Sequence, residues 1–145
     1  GGYIAGKSDV IDAIRSVSSG FIFTTSMSPV IVAGALASVK YLRDHNELRI
    51  KHQERAKRLK TLLRNRDIEI FENETHIVPV KVGDAKKCKA FSDELINEYG
   101  IYCQAINYPT VDVGTERLRF APTPFHTNAM MHSLCDALEK VIKDV

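Results

Sequence analysis

The amino-acid sequence predicts an α+β fold, in which short strands and amphipathic helices form one compact unit after residue 67. The first observation is the alternation of apolar residues at Val78, Val80 and Val82, which is typical of a strand with one buried face. The second is the helical spacing of apolar residues from Asp84 to Glu98 and again from Thr127 to Val145. This order of elements favours a small sheet with helices packed on one face.

The first elements of the chain are short. Tyr3 to Ala5 is expected to form a strand-like segment. Ser8 is expected to cap a helix from Asp9 to Val17, because a serine hydroxyl can accept a hydrogen bond from a free N–H group of the first turn. Gly20 fits the end of that helix. The next helix is expected to begin at Pro29, since proline is favoured at the first helical position.

Small residues fill much of positions 33–38 in this second helix. Because small side chains allow close backbone packing, we expect this half of the helix to be buried. The segment from Asp44 to Asn46 is expected to break or bend the helix, and apolar residues then continue at helical spacing to about Arg66. We therefore expect the compact α+β unit to run from about Asp67 to Val145 and the part before it to belong to another lobe, with the long helix connecting the two.

The α+β unit is expected to contain four strands joined by helices and turns. The predicted strands are Ile68 to Phe71, His76 to Val82, Ile101 to Ala105 and Glu116 to Phe120. Pro79 has no N–H group to donate, so it favours an edge position or a bulge for the second strand. Gly100 is expected to end the helix that precedes the third strand.

Composition narrows the classes of function. The formal net charge of the 145 residues is +2, which gives no reason to expect nucleic acid or an anionic membrane as a partner. No apolar run approaches the roughly 20 residues that a membrane span requires. The three cysteines are widely spaced and the five histidines show no metal-ligand spacing, so neither a disulfide framework nor a zinc site is expected.

The stretch from Cys103 to Pro124 holds the candidate substrate-binding residues. Arg119 lies in the alternating run RLRF, and a guanidinium on a rigid strand can bind a carboxylate through two parallel hydrogen bonds. Thr110 lies just ahead on a loop that could close over the ligand of Arg119. The alternative interpretation is an ion pair between Arg119 and a neighbouring carboxylate such as Glu116.

Two further patterns carry alternatives. Thr24 and Thr25 belong to a row of three hydroxyls, which either cap the helix that begins at Pro29 or bind a phosphate. Neither interpretation of the hydroxyl row is favoured by the residues alone.

His76 and His126 are expected to be hydrogen-bonded structural histidines.

The first eight residues match the phosphate-binding loop pattern G-x-x-x-x-G-K-S, which would make Lys7 a nucleotide ligand. That mechanism needs a strand ahead of Gly1 and an acidic residue for magnesium, for which Asp84 is the candidate. The residues between the two glycines are bulky and strand-like, where a flexible loop is needed. A solvated lysine ahead of a helix is therefore the preferred interpretation.

Four stretches taken together resemble a known family. The stretches GGYIAG, GFIFTTS, THIVPV and QAINYPTVDVGTERLRFAPTP resemble, in this order, the C-terminal part of the α-oxoamine synthase family. The resemblance covers essentially the whole chain. It implies the aspartate-aminotransferase type of fold (fold type I) and pyridoxal 5′-phosphate as cofactor. Residues 1–46 would then be the end of the large cofactor-binding domain with the start of a connecting helix, and residues 47–145 the C-terminal small domain.

The resemblance also implies roles for single residues. The loop sequence AINYPTV resembles most the family member that condenses glycine with succinyl-CoA and releases CoA and CO2. Arg119 would hold the carboxylate of glycine, and Thr110 would contact the carboxylate end of the succinyl group. Thr24 and Thr25 would donate to the cofactor phosphate in the active site of the partner subunit of a homodimer.

This chain departs from the family pattern in the loop, where Asp112 and Val113 replace a proline and an arginine, so that one positive charge is missing from the lid region. The family's covalent cofactor lysine lies a few residues before the position of Gly1. We therefore expect no catalytic residue here, a chain that is inactive alone, and an exposed apolar patch at Phe21, Phe23 and the face from Val30 to Leu36.

Alternatives to this interpretation are a sister synthase that uses another acyl-CoA, a non-catalytic module that binds a carboxylate or a partner chain, and the nucleotide binder described above. The expected location of the intact protein is the bacterial cytoplasm or the mitochondrial matrix.

Overall fold

The computed structural model describes residues 3–143, and it divides the chain into two compact units, Gly1–Asn46 and Glu47–Val145. Gly1 and Gly2 of the phosphate-loop pattern lie outside the described residues, as do the last two positions of the predicted final helix.

The first unit contains three described helices, α1 (Ser8–Val17), α2 (Ser19–Ile22) and α3 (Pro29–Asp44). Pro29 begins α3 as predicted. Ser8 is the first residue of α1 and makes no capping hydrogen bond. Instead, the carbonyl of Lys7 accepts from the N–H groups of Val10 and Ile11, at 3.1 Å each.

The predictions for Tyr3 to Ala5 and for Gly20 are wrong. Tyr3 to Ala5 is not a strand, and no strand is assigned to the described part of this unit with which it could pair. Gly20 does not end a helix, because α1 already ends when Ser18 adopts an extended conformation and Gly20 then lies inside α2.

The small-residue half of α3 was predicted to be buried, but none of its side chains is. Phe23 is 86% exposed and Val30 is 79% exposed, so the predicted exposed apolar patch is confirmed. Small residues along a helix indicate that another helix or a sheet packs closely against it. Among the described residues of this unit, no layer of that kind covers α3.

The second unit combines three helices with a three-stranded antiparallel sheet. In chain order its described elements are α4 (Asn46–Arg64), β1 (Val78–Lys81), α5 (Ala85–Tyr99), β2 (Gln104–Ile106), β3 (Arg117–Phe120) and α6 (Asn128–Lys143). The strand order is β1-β3-β2, which places β3 in the centre and Pro79 on an edge strand, as predicted.

The core lies between one face of this sheet and the apolar stripes of α4, α5 and α6. Val78 and Val80 of β1 are paired with Phe120 and Leu118 of β3, and all four side chains are buried. The helices contribute Leu59, Leu63, Leu95, Leu138 and Val141 to the same cluster. Every second strand residue lies on the opposite face of the sheet, where Pro79 is buried and Gln104 and Arg119 are exposed.

The predicted strand from Ile68 to Phe71 is wrong, because only Ile70 forms a single bridge, to Val80. The N–H of Phe71 donates to the carbonyl of Pro79 at 2.9 Å, but proline has no N–H to donate in return. The carbonyl of Phe71 accepts instead from Nδ2 of Asn73 at 3.2 Å. Pro79 thus stops the ladder, and an asparagine side chain completes the hydrogen bonding.

The two ends of α5 follow the sequence signals. Asp84 accepts from the N–H of Lys87 at 2.8 Å, and Gly100 ends the helix with φ +64°. The N–H of Ile101 then donates back to Leu95, so this residue belongs to the helix termination. The predicted strand from Ile101 to Ala105 therefore begins only at Gln104. Within residues 3–143, none of the helices combines the length and the apolar character needed to cross a membrane.

Candidate functional site

The open face of the sheet carries two arginines of the central strand. Leu118 and Phe120 of β3 point into the core, so Arg117 and Arg119 lie on the other face. Arg119 is paired in register with Pro79 on β1 and with Gln104 on β2. The guanidinium of Arg119 is therefore held by a strand that has a neighbour on each side.

Arg119 donates from Nη1 to Oε1 of Gln104 at 3.3 Å and has no ion pair with a carboxylate among the described residues. The alternative pairing with Glu116 is wrong. Glu116 is three residues away along the chain, so it lies on the opposite, buried face, where it is 2% exposed. The exposed guanidinium of Arg119 is consequently available to a carboxylate ligand.

A cavity of about 530 Å³ lies on this face and is lined by both Arg119 and Thr110. The structure thus brings together the two predicted substrate-binding residues of this unit. Arg117, Gln104 and Ile106 line the same cavity from the strands. A second cavity, of about 720 Å³, also has Arg119 and Gln104 in its wall, together with mainly apolar residues that include Tyr102 and Met130.

The loop of residues 107–115 is held by its own hydrogen bonds. The N–H of Thr110 donates to the carbonyl of Asn107 at 2.9 Å, and Nδ2 of Asn107 donates to the carbonyl of Ala85 at 3.3 Å. The peptide bond between Tyr108 and Pro109 is cis. Thr110 is therefore presented by an ordered turn that is connected to the start of α5.

Arg117 was not among the predicted site residues. Its guanidinium carbon lies 4.0 Å from the ring centroid of Phe71, and its Nε donates to the carbonyl of Thr115 at 2.9 Å. The sequence signal was available, since the spacing of two residues in RLRF places both arginines on one face. Arg117 thereby adds a second, preoriented cation to the cavity that Arg119 lines.

Positive charge also surrounds His76, whose ring lies 4.7 Å from that of His52. Burial lowers the pKa of His76, and the nearby His52, Arg119 and Lys60 lower it further. The prediction of a hydrogen-bonded structural histidine holds for His126, whose Nδ1 accepts from the N–H of Thr123 at 2.9 Å. His76 makes a ring contact instead. An anion bound at Arg119 would reduce the excess positive charge around this histidine.

Lys60 is buried, although a lysine in a basic helical run is normally solvated. Its Nζ donates to the carbonyls of Asn73 and Thr75 at 2.8 Å each and to Oδ1 of Asn73 at 3.2 Å. Burial lowers the pKa of Lys60. Lys60 therefore fixes the turn that supplies Asn73 and Thr75 to the cavity wall. No sequence signal distinguishes it from the other lysines of α4.

The hydroxyl row of the first unit lies between α2 and α3. Thr24 and Thr25 are exposed and have no hydrogen-bond partner among the described residues, and the N-terminus of α3 has no side-chain cap. The capping interpretation is therefore wrong. Two free hydroxyls ahead of a helix N-terminus form a donor set that suits a phosphate group.

The nucleotide-binding pattern gains no support from the described residues. Lys7 precedes α1 with an exposed side chain. The acid proposed for magnesium, Asp84, already caps α5 by accepting from the N–H of Lys87. Among residues 3–143, no group of three or more histidine, cysteine, aspartate or glutamate side chains is placed to hold a metal ion.

Comparisons with known proteins place this chain in one family. The family described as aminotransferase class I and II matches residues 1–138. The 5-aminolevulinate synthase of Rhizobium meliloti (strain 1021) is 52% identical over 141 residues, which are 97% of this chain and 35% of that protein. The 5-aminolevulinate synthase of Rickettsia felis is 48% identical over 145 residues, which are 100% of this chain and 35% of that protein. The chain thus spans about one third of the length of the curated relatives it matches.

Solved structures agree on the fold. A serine palmitoyltransferase from S. paucimobilis with bound PLP has a TM-score of 0.80 at 24% identity, over 92% of this chain and 34% of that chain. The 8-amino-7-oxononanoate synthase from Francisella tularensis has a TM-score of 0.71 at 23% identity, over 95% of this chain and 39% of that chain. The predicted fold type I architecture is confirmed by these similarities.

Proposed function

Because this chain belongs to the class I and II aminotransferase family, we propose that it is the C-terminal part of a 5-aminolevulinate synthase. The intact protein condenses glycine with succinyl-CoA and releases 5-aminolevulinate, CoA and CO2. One observation carries the assignment of the substrate site. Arg119, which has no carboxylate partner among the described residues, shares a cavity with Thr110 on the open face of the sheet.

Arg119 binds the carboxylate of glycine. Its planar guanidinium can offer two parallel N–H donors to a carboxylate, and the central strand fixes its direction. This orientation is a large part of catalysis, because a reactant held in the correct geometry no longer loses its translational and rotational freedom during the reaction. The hydrogen bond to Gln104 is replaced by bonds to the substrate.

Thr110 contacts the carboxylate end of the succinyl group through its hydroxyl. The loop that carries it covers the open face and excludes water from the reacting atoms. The neighbouring Arg117 lies within the same cavity and adds positive charge there. The two substrates are therefore held by two adjacent parts of one unit, glycine by β3 and the acyl group by the loop ahead of it.

Thr24 and Thr25 hold the phosphate of pyridoxal 5′-phosphate, for which their free hydroxyls are suited. They act in the active site of the partner subunit, so the intact protein is a homodimer. When bound, this cofactor draws electrons from the α-carbon of glycine, which allows that carbon to lose a proton and attack the thioester. In the proposed synthase, residues 1–46 are the end of the large domain and residues 47–145 are the small domain.

The covalent cofactor lysine belongs to the part of the intact synthase that precedes Gly1. The 145-residue chain is accordingly proposed to be inactive alone. A sister synthase that uses another acyl-CoA has the same site plan, and analysis of the products formed from a panel of acyl-CoAs by the intact protein separates the two.

The test is a pair of variants in the full-length protein. Arg119→Gln removes the guanidinium, and we expect it to lower kcat/KM for glycine by about a hundredfold, the loss typical when a charged hydrogen-bond partner is removed. Thr110→Val removes only the hydroxyl and is expected to raise KM for succinyl-CoA. Arg43→Gln, at an exposed pair with Asp44, is the control. Unchanged saturation by glycine in Arg119→Gln would contradict the proposal.

A further inference from the structure

Glu116 is a buried carboxylate to which the proposed reaction assigns no role. It is the residue just before β3, and it is 2% exposed. No lysine, arginine or histidine forms an ion pair with it among the described residues. Burying a polar group is unfavourable unless it is hydrogen-bonded, so the partners of this side chain matter at this position.

The hydrogen bonds of Glu116 join the loop to the sheet. Its Oε2 accepts from the N–H of Gly114 at 2.9 Å. Its carbonyl accepts from the N–H groups of Val82 and Gly83, at 2.9 and 3.0 Å. Glu116 therefore connects the end of the 107–115 loop to the chain that leaves β1.

Two glycines allow this connection to be compact. Gly83 has φ +77° and Gly114 has φ +86°, a conformation that side chains other than glycine rarely adopt. A Cβ on Gly83 would lie 3.5 Å from the carbonyl oxygen of Gly114. The two turns thus pack against each other, and the carboxylate of Glu116 is buried beside them.

Glu116 lies between the two proposed substrate-binding residues in the chain. Thr110 lies six residues before it on the loop, and Arg119 lies three residues after it on the strand. The strand is held by both its neighbours. The loop is held at its N-terminal end by the hydrogen bond of Asn107 to Ala85 and at its C-terminal end by Glu116. A change at Glu116 should consequently displace the Thr110 side of the cavity and leave the Arg119 side in place.

We propose that Glu116 is the positioning residue that holds the Thr110 loop at the open face of the sheet. The substrate that this loop contacts rests on the proposed function, but the anchoring itself does not. The carboxylate acts through Gly114 and touches neither substrate. It sets the position of the Thr110 hydroxyl and thereby the binding of the acyl group.

Amide hydrogen exchange of the 145-residue chain tests the anchoring. Glu116→Ala removes the acceptor, and we expect the Gly114 amide to exchange roughly tenfold faster or more, as follows from the loss of one charge-assisted hydrogen bond. The amides of Leu118 and Phe120 should keep their exchange rates. Glu98→Gln, at an exposed position of α5, is the control. An unchanged Gly114 rate, or an equal acceleration throughout residues 47–143, would overturn the proposal.

Glu116→Gln keeps the size and one oxygen acceptor and loses only the charge, so it serves where the alanine variant fails to fold. In Glu116→Gln, we expect the Gly114 amide to exchange faster than in the unsubstituted chain and more slowly than in Glu116→Ala. A rate identical to that of the unsubstituted chain would show that the charge is not used and would overturn the proposal.

Kinetics of the full-length protein test the consequence for substrates. We expect Glu116→Gln to raise KM for succinyl-CoA several-fold and to leave KM for glycine unchanged. Equal changes in both constants, or none, would overturn the positioning role. If Arg119→Gln leaves glycine saturation unchanged, the proposed function fails by itself, and the exchange rates of Gly114 still decide the anchoring.

Discussion

Arg119 on β3 donates a 3.3 Å hydrogen bond to Gln104, the residue directly opposite it on β2. The bond is long and lies on the exposed face, and its acceptor is a neutral amide, so it is weaker than a bond to a carboxylate. Gln104 therefore orients the guanidinium of Arg119 without neutralising it. A substrate carboxylate can replace the amide at little cost.

Replacing Gln104 by glutamate should block the site from within. Gln104→Glu places a carboxylate at the position of the amide, so that Arg119 forms an internal ion pair that competes with the substrate. We expect the affinity for glycine in the full-length protein to fall by about tenfold, which corresponds to about 1.4 kcal/mol. The measurement is KM for glycine. Gln104→Leu, which has no acceptor, is the control, and equal effects of the two variants would contradict the competition.

The pKa of His76 should report on the charge at Arg119. NMR titration of its ring protons is expected to give a midpoint below the ordinary value of 6.5, chiefly because the side chain is partly buried. His52→Gln removes the second cause and should raise the midpoint in part. A carboxylate bound at Arg119 should raise it as well.

The same shift gives a direction for the pH dependence of stability. The lowered pKa means that the unfolded chain binds more protons than the folded one just below pH 6.5. His76 therefore reduces the free energy of unfolding as the pH falls through that window. For the NMR titration, a His76 midpoint at or above pH 6.5 that His52→Gln does not change would contradict the arrangement of these charges.

Local sequence signals correctly predicted those parts of the fold in which hydrogen bonds join residues only a few positions apart. Helix α5 is the clearest case, because Asp84 and Gly100 at its ends satisfy neighbouring backbone groups. The segment from Ile68 to Phe71 has the composition of a strand, but pairing depends on a distant partner, and Pro79 cannot donate to it. The burial predicted for α3 was wrong, because small residues alone do not determine whether another element packs against a helix.

Part of the candidate site could also be predicted from local sequence patterns. Alternation places Arg119 on the face opposite to Leu118, and it also places Glu116 on the face of Leu118 and Phe120. In the folded sheet this alternation keeps Arg119 and Glu116 on opposite faces, and the two form no ion pair. The burial of Lys60 could not be predicted, because its acceptors lie in a turn whose position depends on the whole sheet edge.

Asn73 should contribute more to stability than an exposed turn residue normally does. Its side chain donates to the carbonyl of Phe71 and accepts from the N–H of Thr75 and from Lys60. Asn73→Ala leaves these groups with fewer partners, and we expect it to lower the free energy of unfolding by about 2 kcal/mol. Urea denaturation of the 145-residue chain measures this difference.

The matched control is Asn97→Ala, at an exposed position of α5. That substitution should change the free energy of unfolding by less than about 0.5 kcal/mol. If Asn73→Ala has an equally small effect, the turn does not depend on the asparagine side chain, and our account of the interrupted strand beside Pro79 is wrong.

The three cysteines should be unreactive in the folded chain. Cys88, Cys103 and Cys135 are buried, and burial raises the pKa of each thiol above its ordinary value of 9.0. A thiol reagent at pH 8 should therefore modify them only after urea is added. Rapid modification of the native chain would contradict their burial.

Stability should fall at alkaline pH for the same reason. The unfolded chain ionises its thiols at a lower pH than the folded chain, so above about pH 9 it binds fewer protons. Each thiol then lowers the free energy of unfolding by up to about 1.4 kcal/mol per pH unit until its folded-state pKa is reached. Denaturation curves between pH 8 and pH 10 measure this slope, and replacing Cys135 by alanine should reduce it.

The apolar patch of the first unit should bind a hydrophobic dye. Phe23 is 86% exposed, Val30 is 79% exposed and Ile31 is 53% exposed, and contiguous exposed apolar side chains are typical of surfaces that are covered by another part of a protein. We expect the 145-residue chain to enhance the fluorescence of an anilinonaphthalene dye, and the double substitution Phe23→Ser with Val30→Ser to remove most of the enhancement. Lys57→Ser, at an exposed position of α4, should leave it unchanged. A strictly monomeric chain that binds no dye would show that these side chains find cover within the chain itself.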